Sequence, residues 1–189
     1  MNRENELNTI LGKMKKLLLS AFVICLAWTS IALESPLWMR HCSLSLDGTT
    51  IAFTYKGDIY TVPSTGGRAT QITTNPAFDT EPVWSPDSKQ IAFASDRMGS
   101  LDVFVVSSEG GAPQRLTTHS GSEKPVAYKD NKHILFTANI APSAEDAGFP
   151  SGQFQQVYEV AVTGGRPAMF SSMPMECISI NKEGVMLYQ

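Results

Sequence analysis

The stretch Trp84-Ser85-Pro86-Asp87-Ser88-Lys89-Gln90-Ile91-Ala92-Phe93-Ala94 decides the fold, because it places a tight polar turn directly before a short apolar run. Ser, Pro and Asp favour a turn through fixed backbone angles and local hydrogen bonds. A short apolar run bounded by turn signals is typical of a buried strand. The same unit recurs in weaker form at residues 45–53 and 128–136, and it begins again at residue 180.

The repeat has a period of about forty residues. The turn residues Asp47 and Asp87 are 40 positions apart, and Asp87 and Asp130 are 43 positions apart. A second apolar run and a Gly-Gly pair follow each turn, in the stretches 58–67, 102–111 and 156–165. Glycine supplies the positive φ that tight hairpins require. Short strands repeating at this interval predict the blades of a β-propeller, which must stack on one another to bury their faces.

The sequence therefore predicts an all-β fold, an incomplete β-propeller of four-stranded blades over residues 36–189. We predict blade boundaries at residues 43–82, 83–125 and 126–177, with a truncated fourth blade from residue 178. These 154 residues hold three blades and the start of a fourth, whereas propellers usually have about four to eight. We therefore expect a fragment of a larger protein.

The third unit carries a Pro- and Gly-rich insertion at residues 141–152. We interpret it as a tolerated surface loop. The alternative is a rim loop that contacts another domain or a substrate.

Residues 14–32 have the pattern of a secretory signal peptide. Two lysines precede an apolar run, and Ser30-Ile31-Ala32 fits the small-x-small cleavage pattern, so we predict cleavage after Ala32. Because such segments begin with their basic residues, we interpret residues 1–13 as a misassigned start. The prediction is an exported protein, in a bacterium a periplasmic one. The alternative is an uncleaved anchor, since Leu17 to Leu33 is only slightly shorter than a membrane span.

Composition and charge are those of an ordinary globular protein. Apolar residues make up 42% of the chain, charged residues 17%, and the formal net charge is −3. This balance gives no electrostatic basis for binding nucleic acid or an anionic membrane. We expect membrane contact only through the signal segment.

No catalytic motif stands in the sequence: it contains no G-x-S-x-G, H-E-x-x-H, C-x-x-C or P-loop pattern. His41, His119 and His133 lack a second ligand at metal spacing, so we interpret them as surface or packing residues. We therefore predict no catalytic, cofactor-binding or metal-binding residues and no cofactor.

Recurrence assigns structural roles to the remaining candidates. An aspartate at the same place in every unit, as at Asp47, Asp87 and Asp130, is predicted to accept N–H groups of its own turn. We interpret Asp58 and Asp96-Arg97 as polar contacts at the blade rim. Trp84 is predicted to pack between blades, the alternative being an exposed aromatic residue for peptide capture.

Two cysteines follow the predicted cleavage site, Cys42 and Cys177. Both enter the first strand of their blades, the first and the fourth, which face each other across a six-bladed ring. A disulfide needs Cα atoms within about 7 Å, so we predict two unpaired thiols. A lipoprotein site at Cys25 is disfavoured because Phe22-Val23-Ile24 lacks the small residues such a site needs.

These residues resemble the propeller repeats of the TolB and tricorn proteins. The resemblance is carried by three groups of residues: Pro82-Val83-Trp84-Ser85-Pro86-Asp87, Ile91-Ala92-Phe93-Ala94-Ser95-Asp96-Arg97, and Asp102-Val103-Phe104-Val105 with Gly110-Gly111 and Arg115-Leu116-Thr117. The first segment, Ser35-Pro36-Leu37-Trp38-Met39-Arg40, and Phe149-Pro150-Ser151-Gly152 are similar to exported tricorn-type serine peptidases. The resemblance covers roughly residues 35–189.

The tricorn resemblance implies a propeller that gates or guides peptides to a catalytic region, with the nucleophile and its base in later parts of the protein. None of the family's catalytic residues maps onto this chain. The implied partners are a peptide or protein substrate at the channel or rim and the remaining domains of the parent protein. The alternative is a non-catalytic, periplasmic TolB-like propeller that serves as a protein-binding module.

Overall fold

The computed structural model describes residues 13–15, 38–138, 155–171, 175, 178–181 and 185–188. Residues 13–15 are helical. Most of the predicted signal segment, the cleavage position and the insertion at 141–152 lie outside the described residues. Within the described part of the chain, no helix is both long enough and apolar enough to span a bilayer.

Residues 38–188, where described, form successive antiparallel sheets, each built from strands in chain order. The first blade contains β1 (Arg40–Leu44), β2 (Thr50–Tyr55), β3 (Asp58–Pro63) and β4 (Thr70–Gln71). The second blade contains β5 (Asp79–Trp84), β6 (Gln90–Ser95), β7 (Asp102–Ser107) and β8 (Gln114–Arg115). The third blade contains β9 (Glu123–Asp130), β10 (His133–Ala138), β11 (Gln156–Ala161) and β12 (Ala168–Ser171). The fourth has β13 (Ile178–Ile180) and β14 (Met186–Tyr188). The predicted all-β, incomplete propeller is confirmed.

The innermost strands start a few residues before the boundaries that the sequence suggests. β1 begins at Arg40, β5 at Asp79 and β9 at Glu123. A bulge interrupts the pairing of β1 with β2 between Arg40 and Ser43, and another interrupts the pairing of β5 with β6 between Thr80 and Val83. His41 and Glu81 occupy equivalent bulge positions with φ of 51° and 54°. Because a bulge breaks the two-residue alternation, the upstream part of each strand carries no periodic signal.

Contacts between neighbouring blades form the core. β6 and β7 are buried on both faces, since the second blade lies between the first and the third. Ile91 and Phe93 pack with Ala52 and Ile59 of the first blade. Ala92, on the opposite face of β6, belongs to the cluster shared with the third blade. A sheet buried on both sides reads as a continuous apolar run rather than an alternating one, which explains Ile91-Ala92-Phe93-Ala94.

Trp84 joins the first two blades. It is 8% exposed and lies in the same cluster as Ile91 and Phe93. Its indole Nε1 donates a hydrogen bond to the backbone oxygen of Ser43 in the first blade, at 3.0 Å. The side chain therefore packs between blades, as predicted, and does not stand free for peptide capture.

Each complete blade also carries one stacked aromatic pair between its second and third strands. The pairs are Phe53–Tyr60, Phe93–Phe104 and Phe136–Tyr158, with ring centroids 5.8, 5.9 and 5.8 Å apart. Each pair joins directly opposed residues of the ladder, where side chains contribute most to sheet stability.

Replacing Trp84 tests the joint between the first two blades. Trp84→Phe keeps an aromatic ring but removes the donor to Ser43, so we expect a loss of about 1–3 kcal/mol in the free energy of unfolding. Urea unfolding of the 189-residue chain measures it. Trp38→Phe is the control, since Trp38 is 75% exposed and should change stability by less than about 0.5 kcal/mol. Equal losses in both variants would contradict the assignment.

Candidate functional site: the central channel

The innermost strands of the blades line a solvent-open cavity of about 760 Å³. β1, β5, β9 and β13 follow one another around it, each in contact with the next. Apolar side chains on its wall include Leu44, Val83, Trp84, Val126 and Ile180. The turns after these strands supply its polar rim, with Asp47, Asp87, Asp130, Asn131 and Asn181. A concave site with an apolar wall and a few polar groups is suited to ligand binding.

The first two turns at this rim are built alike. Ser85 Oγ donates to Asp87 Oδ1 at 2.7 Å and accepts the backbone N–H of Gln90 at 2.9 Å. The backbone N–H of Lys89 also donates to Asp87 Oδ1, at 3.2 Å. The hydrogen bond from Ser85 is the main cause that holds the pKa of Asp87 below its ordinary value. Asp47 accepts the equivalent bonds and its pKa is also lowered, so the predicted turn role is confirmed.

The third turn lacks the serine of the first two, because the residue two positions before Asp130 is Tyr128, which pairs with Ile134 as Trp84 pairs with Ile91. Asp130 accepts the backbone N–H of Lys132 at 2.6 Å and lies 3.0 Å from Nδ1 of His133. Burial acts to raise the pKa of Asp130, but the contacts with His133 and Lys132 outweigh it and lower the pKa. Glu159, which pairs with Lys129 at 2.8 Å, lies 3.8 Å from the same His133 nitrogen.

Side chains next to the turn aspartates connect one turn to the previous one. The backbone N–H of Asp47 donates to Ser88 Oγ at 3.4 Å, and that of Asp87 donates to Asn131 Oδ1 at 3.0 Å. Ser88 and Asn131 hold equivalent positions in their blades, and we call them the latch residues. The latch residues tie the rim of the channel together across blade boundaries.

An ion pair crosses between inner strands farther from the turns. Lys124 Nζ on β9 lies 2.7 Å from Glu81 Oε1 on β5, and both side chains are partly exposed. The two residues stand two positions before Val126 and Val83, which line the cavity. Exposed pairs of this kind contribute little to stability, and because its two charges cancel, this pair adds no net charge to the inner strands.

The histidines lie apart from one another. His41 occupies the bulge of β1, and Nδ1 of His119 accepts the backbone N–H of Gly121 at 3.0 Å. His133 belongs to the third turn, a contact that the sequence did not reveal. Among the described residues, no group of three or more His, Cys, Asp or Glu side chains is arranged to hold a metal ion.

The predicted rim contacts and thiols can also be located. Asp58 lies within hydrogen-bond distance of Thr73 Oγ1 and Gln71 Nε2, and Asp96 accepts the backbone N–H of Phe78. Arg97 binds both carboxylate oxygens of Asp79 at 2.9 Å. Cys42 is an exposed free thiol, whereas Cys177 lies outside the described residues.

The strand order and blade packing define the class as a β-propeller, and sequence comparison identifies the family. Residues 36–189 match the tricorn protease N-terminal beta propeller domain. The chain belongs to this family, which confirms the resemblance seen in its repeats.

Relatives of this chain include peptidases and TolB. It is 31% identical over 106 residues to the uncharacterized peptidase YuxL of Bacillus subtilis, covering 50% of this chain and 16% of YuxL. It is 39% identical over 75 residues to tricorn protease homolog 1 of Streptomyces coelicolor, covering 40% and 7%. The solved structure of putative TolB from Agrobacterium tumefaciens is 25% identical with a TM-score of 0.56, covering 72% and 48%. The chain thus spans a small part of these curated peptidases.

Ser85→Ala tests the turn at the channel rim. Because the partly buried N–H groups of Lys89 and Gln90 lose Ser85 Oγ as their acceptor, we expect a loss of about 1–3 kcal/mol in the free energy of unfolding at neutral pH. The contribution of a lowered aspartate pKa is present above the unfolded value of about 3.9 and is lost as the pH falls through the folded value. The difference in the free energy of unfolding between the unmodified chain and Ser85→Ala should therefore become smaller at acidic pH.

Urea unfolding at several pH values provides the measurement. Ser88→Ala serves as the control, since it removes only the 3.4 Å contact with Asp47 and should cost less than about 0.5 kcal/mol. A loss that is the same at every pH would contradict the role of Ser85 in holding Asp87 ionised.

Proposed function

We propose that this chain is the N-terminal propeller part of an exported, tricorn-like serine peptidase, and that its channel gates or guides peptides toward a catalytic region outside these 189 residues. Membership of the tricorn propeller family supports the proposal. So does the similarity to two peptidases, of which the chain covers 16% and 7%. The chain itself takes no catalytic, cofactor-binding or metal-binding role in this proposal.

The observation that carries the proposal is the concave channel wall that the inner strands line. Its wall combines apolar side chains such as Val83 and Val126 with a rim of turn residues, in a cavity of about 760 Å³. A cavity of this size accommodates several residues of an extended peptide. Trp84 of β5 also belongs to the buried cluster that joins the first two blades.

A second candidate function is a TolB-like propeller that binds a partner protein without catalysis. The similarity to the solved TolB structure, of which this chain covers 48%, favours it. The reading frame beyond the codon for Gln189 discriminates the two functions. A PDZ-like region and a catalytic serine segment support the peptidase, whereas a stop after about six blades supports the binding module.

We further propose that the protein is exported, in a bacterium to the periplasm, through the signal segment at residues 14–32. The two lysines and the following apolar run support this proposal. The alternative is that the uncleaved segment anchors the protein.

Narrowing the channel tests peptide binding. Ser179 is exposed and lines the cavity, so Ser179→Trp fills part of it without disturbing the core. We expect fluorescence polarisation of a labelled peptide library to show at least about tenfold weaker binding, the equivalent of ~1.4 kcal/mol. Ser107→Trp is the matched control, because Ser107 is exposed at the end of β7 and is not part of the cavity wall.

Both proposed functions predict that the purified 189-residue chain does not hydrolyse peptides. Equal binding by the two tryptophan variants would contradict a channel site. Sustained hydrolysis by a clean preparation would overturn both proposed functions.

Export gives a prediction of its own. A tagged chain expressed in a bacterium with a periplasm should be recovered there, and N-terminal sequencing should begin at Leu33. Replacing Lys15 and Lys16 by glutamate should retain the chain in the cytoplasm, because the basic region directs insertion. Recovery in the membrane fraction with the segment intact would support the uncleaved anchor instead.

A further inference from the structure

Two buried acidic side chains interact electrostatically in the joint between the second and third blades. Asp102 is the first residue of β7 and is 0% exposed, and Glu123 is the first residue of β9 and is 1% exposed. The backbone N–H of Glu123 donates to the oxygen of Leu101 at 2.7 Å, which holds β9 beside the residue that precedes Asp102. Burying two carboxylates together is costly unless each finds a cation or a proton.

Only one of the two carboxyl groups has an arginine partner among the described residues. Arg115 Nη2 lies 2.8 Å from Asp102 Oδ2. Within the described part of the chain, Asp102 Oδ1 and Glu123 Oε2 are buried without a hydrogen-bond partner. Arg115 thus pairs with Asp102, whereas Glu123 receives hydrogen bonds from Thr117 and the backbone of His119, and its Oε2 is left without a donor. A buried carboxyl in this position is stabilised in its neutral form.

The equivalent joint between the first and second blades shows which partner Glu123 lacks. Asp79 holds the place of Glu123, since its backbone N–H donates to the oxygen of Gly57 at the same 2.7 Å. There Arg97 binds both carboxylate oxygens of Asp79. When the third repeat is aligned with the second so that Ile134 corresponds to Ile91, Ile140 corresponds to Arg97. The third blade therefore keeps the acid and replaces its arginine by an apolar residue.

We propose that Glu123 forms a proton-dependent joint between the second and third blades. As a neutral acid it has one O–H donor for the unused oxygen of Asp102, and it packs in the joint without repulsion. When it ionises, it repels Asp102 and weakens the contact between β9 and β7. Because β9 also lines the channel, the loosened joint alters the channel wall.

The surroundings of Glu123 favour its neutral form, as the proposal requires. Burial is the main cause that raises the pKa of Glu123, and the charge of Asp102 adds to it, while Thr117 and His119 act in the opposite sense. Arg115 from β8 faces Asp102. For a raised pKa, the contribution to stability is fully present below the unfolded value of about 4.3 and is lost as the pH rises through the folded value. A bound cation is disfavoured, because Arg115 already occupies one side of Asp102.

Glu123→Gln tests the joint, since glutamine copies the neutral acid in shape and donor and cannot ionise. We expect its melting temperature to rise above that of the unmodified chain as the pH goes from about 5 to about 8, by roughly 2–4 °C at the upper end. Asp79→Asn is the matched control. It leaves Arg97 without its carboxylate, so it should lower the melting temperature throughout this range.

Hydrogen exchange locates the effect. Amides of β9 and β7 in the unmodified chain should lose protection at the higher pH, after correction for intrinsic exchange, and those of β5 should not. Identical pH profiles for Glu123→Gln and the unmodified chain would overturn the proposal, as would a Glu123→Gln chain less stable at every pH.

A second measurement covers the case in which the variant does not fold. Infrared spectra of the unmodified chain should show a protonated carboxyl band that persists above the pH at which exposed acids have ionised. The absence of such a band would overturn the proposal.

Discussion

The burial of each blade against its neighbours is the constraint on which the structure depends. A small antiparallel sheet has two faces, and one blade alone leaves both in water. In the second blade both faces are buried, because β6 places Ile91 and Phe93 toward the first blade and Ala92 toward the third. Each fully buried large side chain contributes about 1.5–3 kcal/mol, so stability arises mainly between repeats. Trp84 adds a directional contact, because its indole N–H donates to the backbone oxygen of Ser43 across the boundary between the first two blades.

The sequence predicts the parts of this architecture that lie within one repeat. The polar turn around Asp87, the apolar strands and the burial of Trp84 all follow from local chemistry and recurrence. The boundaries of the inner strands do not, because the bulges at His41 and Glu81 break the alternation on which strand prediction relies. At the channel, the turn aspartates were predictable as turn residues, but their arrangement around one cavity was not.

Contacts between repeats account for what the sequence did not reveal. The latch residues, the Glu81–Lys124 ion pair and the carboxylates of Asp102 and Glu123 join positions some 20 to 45 residues apart. Pairing them requires the rotation between blades, which no local pattern encodes. A signal was nevertheless present, because Ser88 and Asn131 are both polar and stand at one repeat position, directly after the turn aspartate. Comparing equivalent positions in successive repeats would have marked them as neighbours.

Departures from the repeat are therefore more informative about this chain than the repeat itself. Where blades agree, a residue serves the blade, as Asp47 and Asp87 do. Where they disagree, the residue changes a joint between blades. The third turn lacks the serine of the first two and His133 contacts its aspartate, Asp130, while Glu123 stands where Asp79 has its arginine. Both changes fall on the ends of β9, the strand that contacts the second blade on one side and the channel on the other. The third blade's inner strand is thus where alterations of the blade interface reach the channel wall most directly.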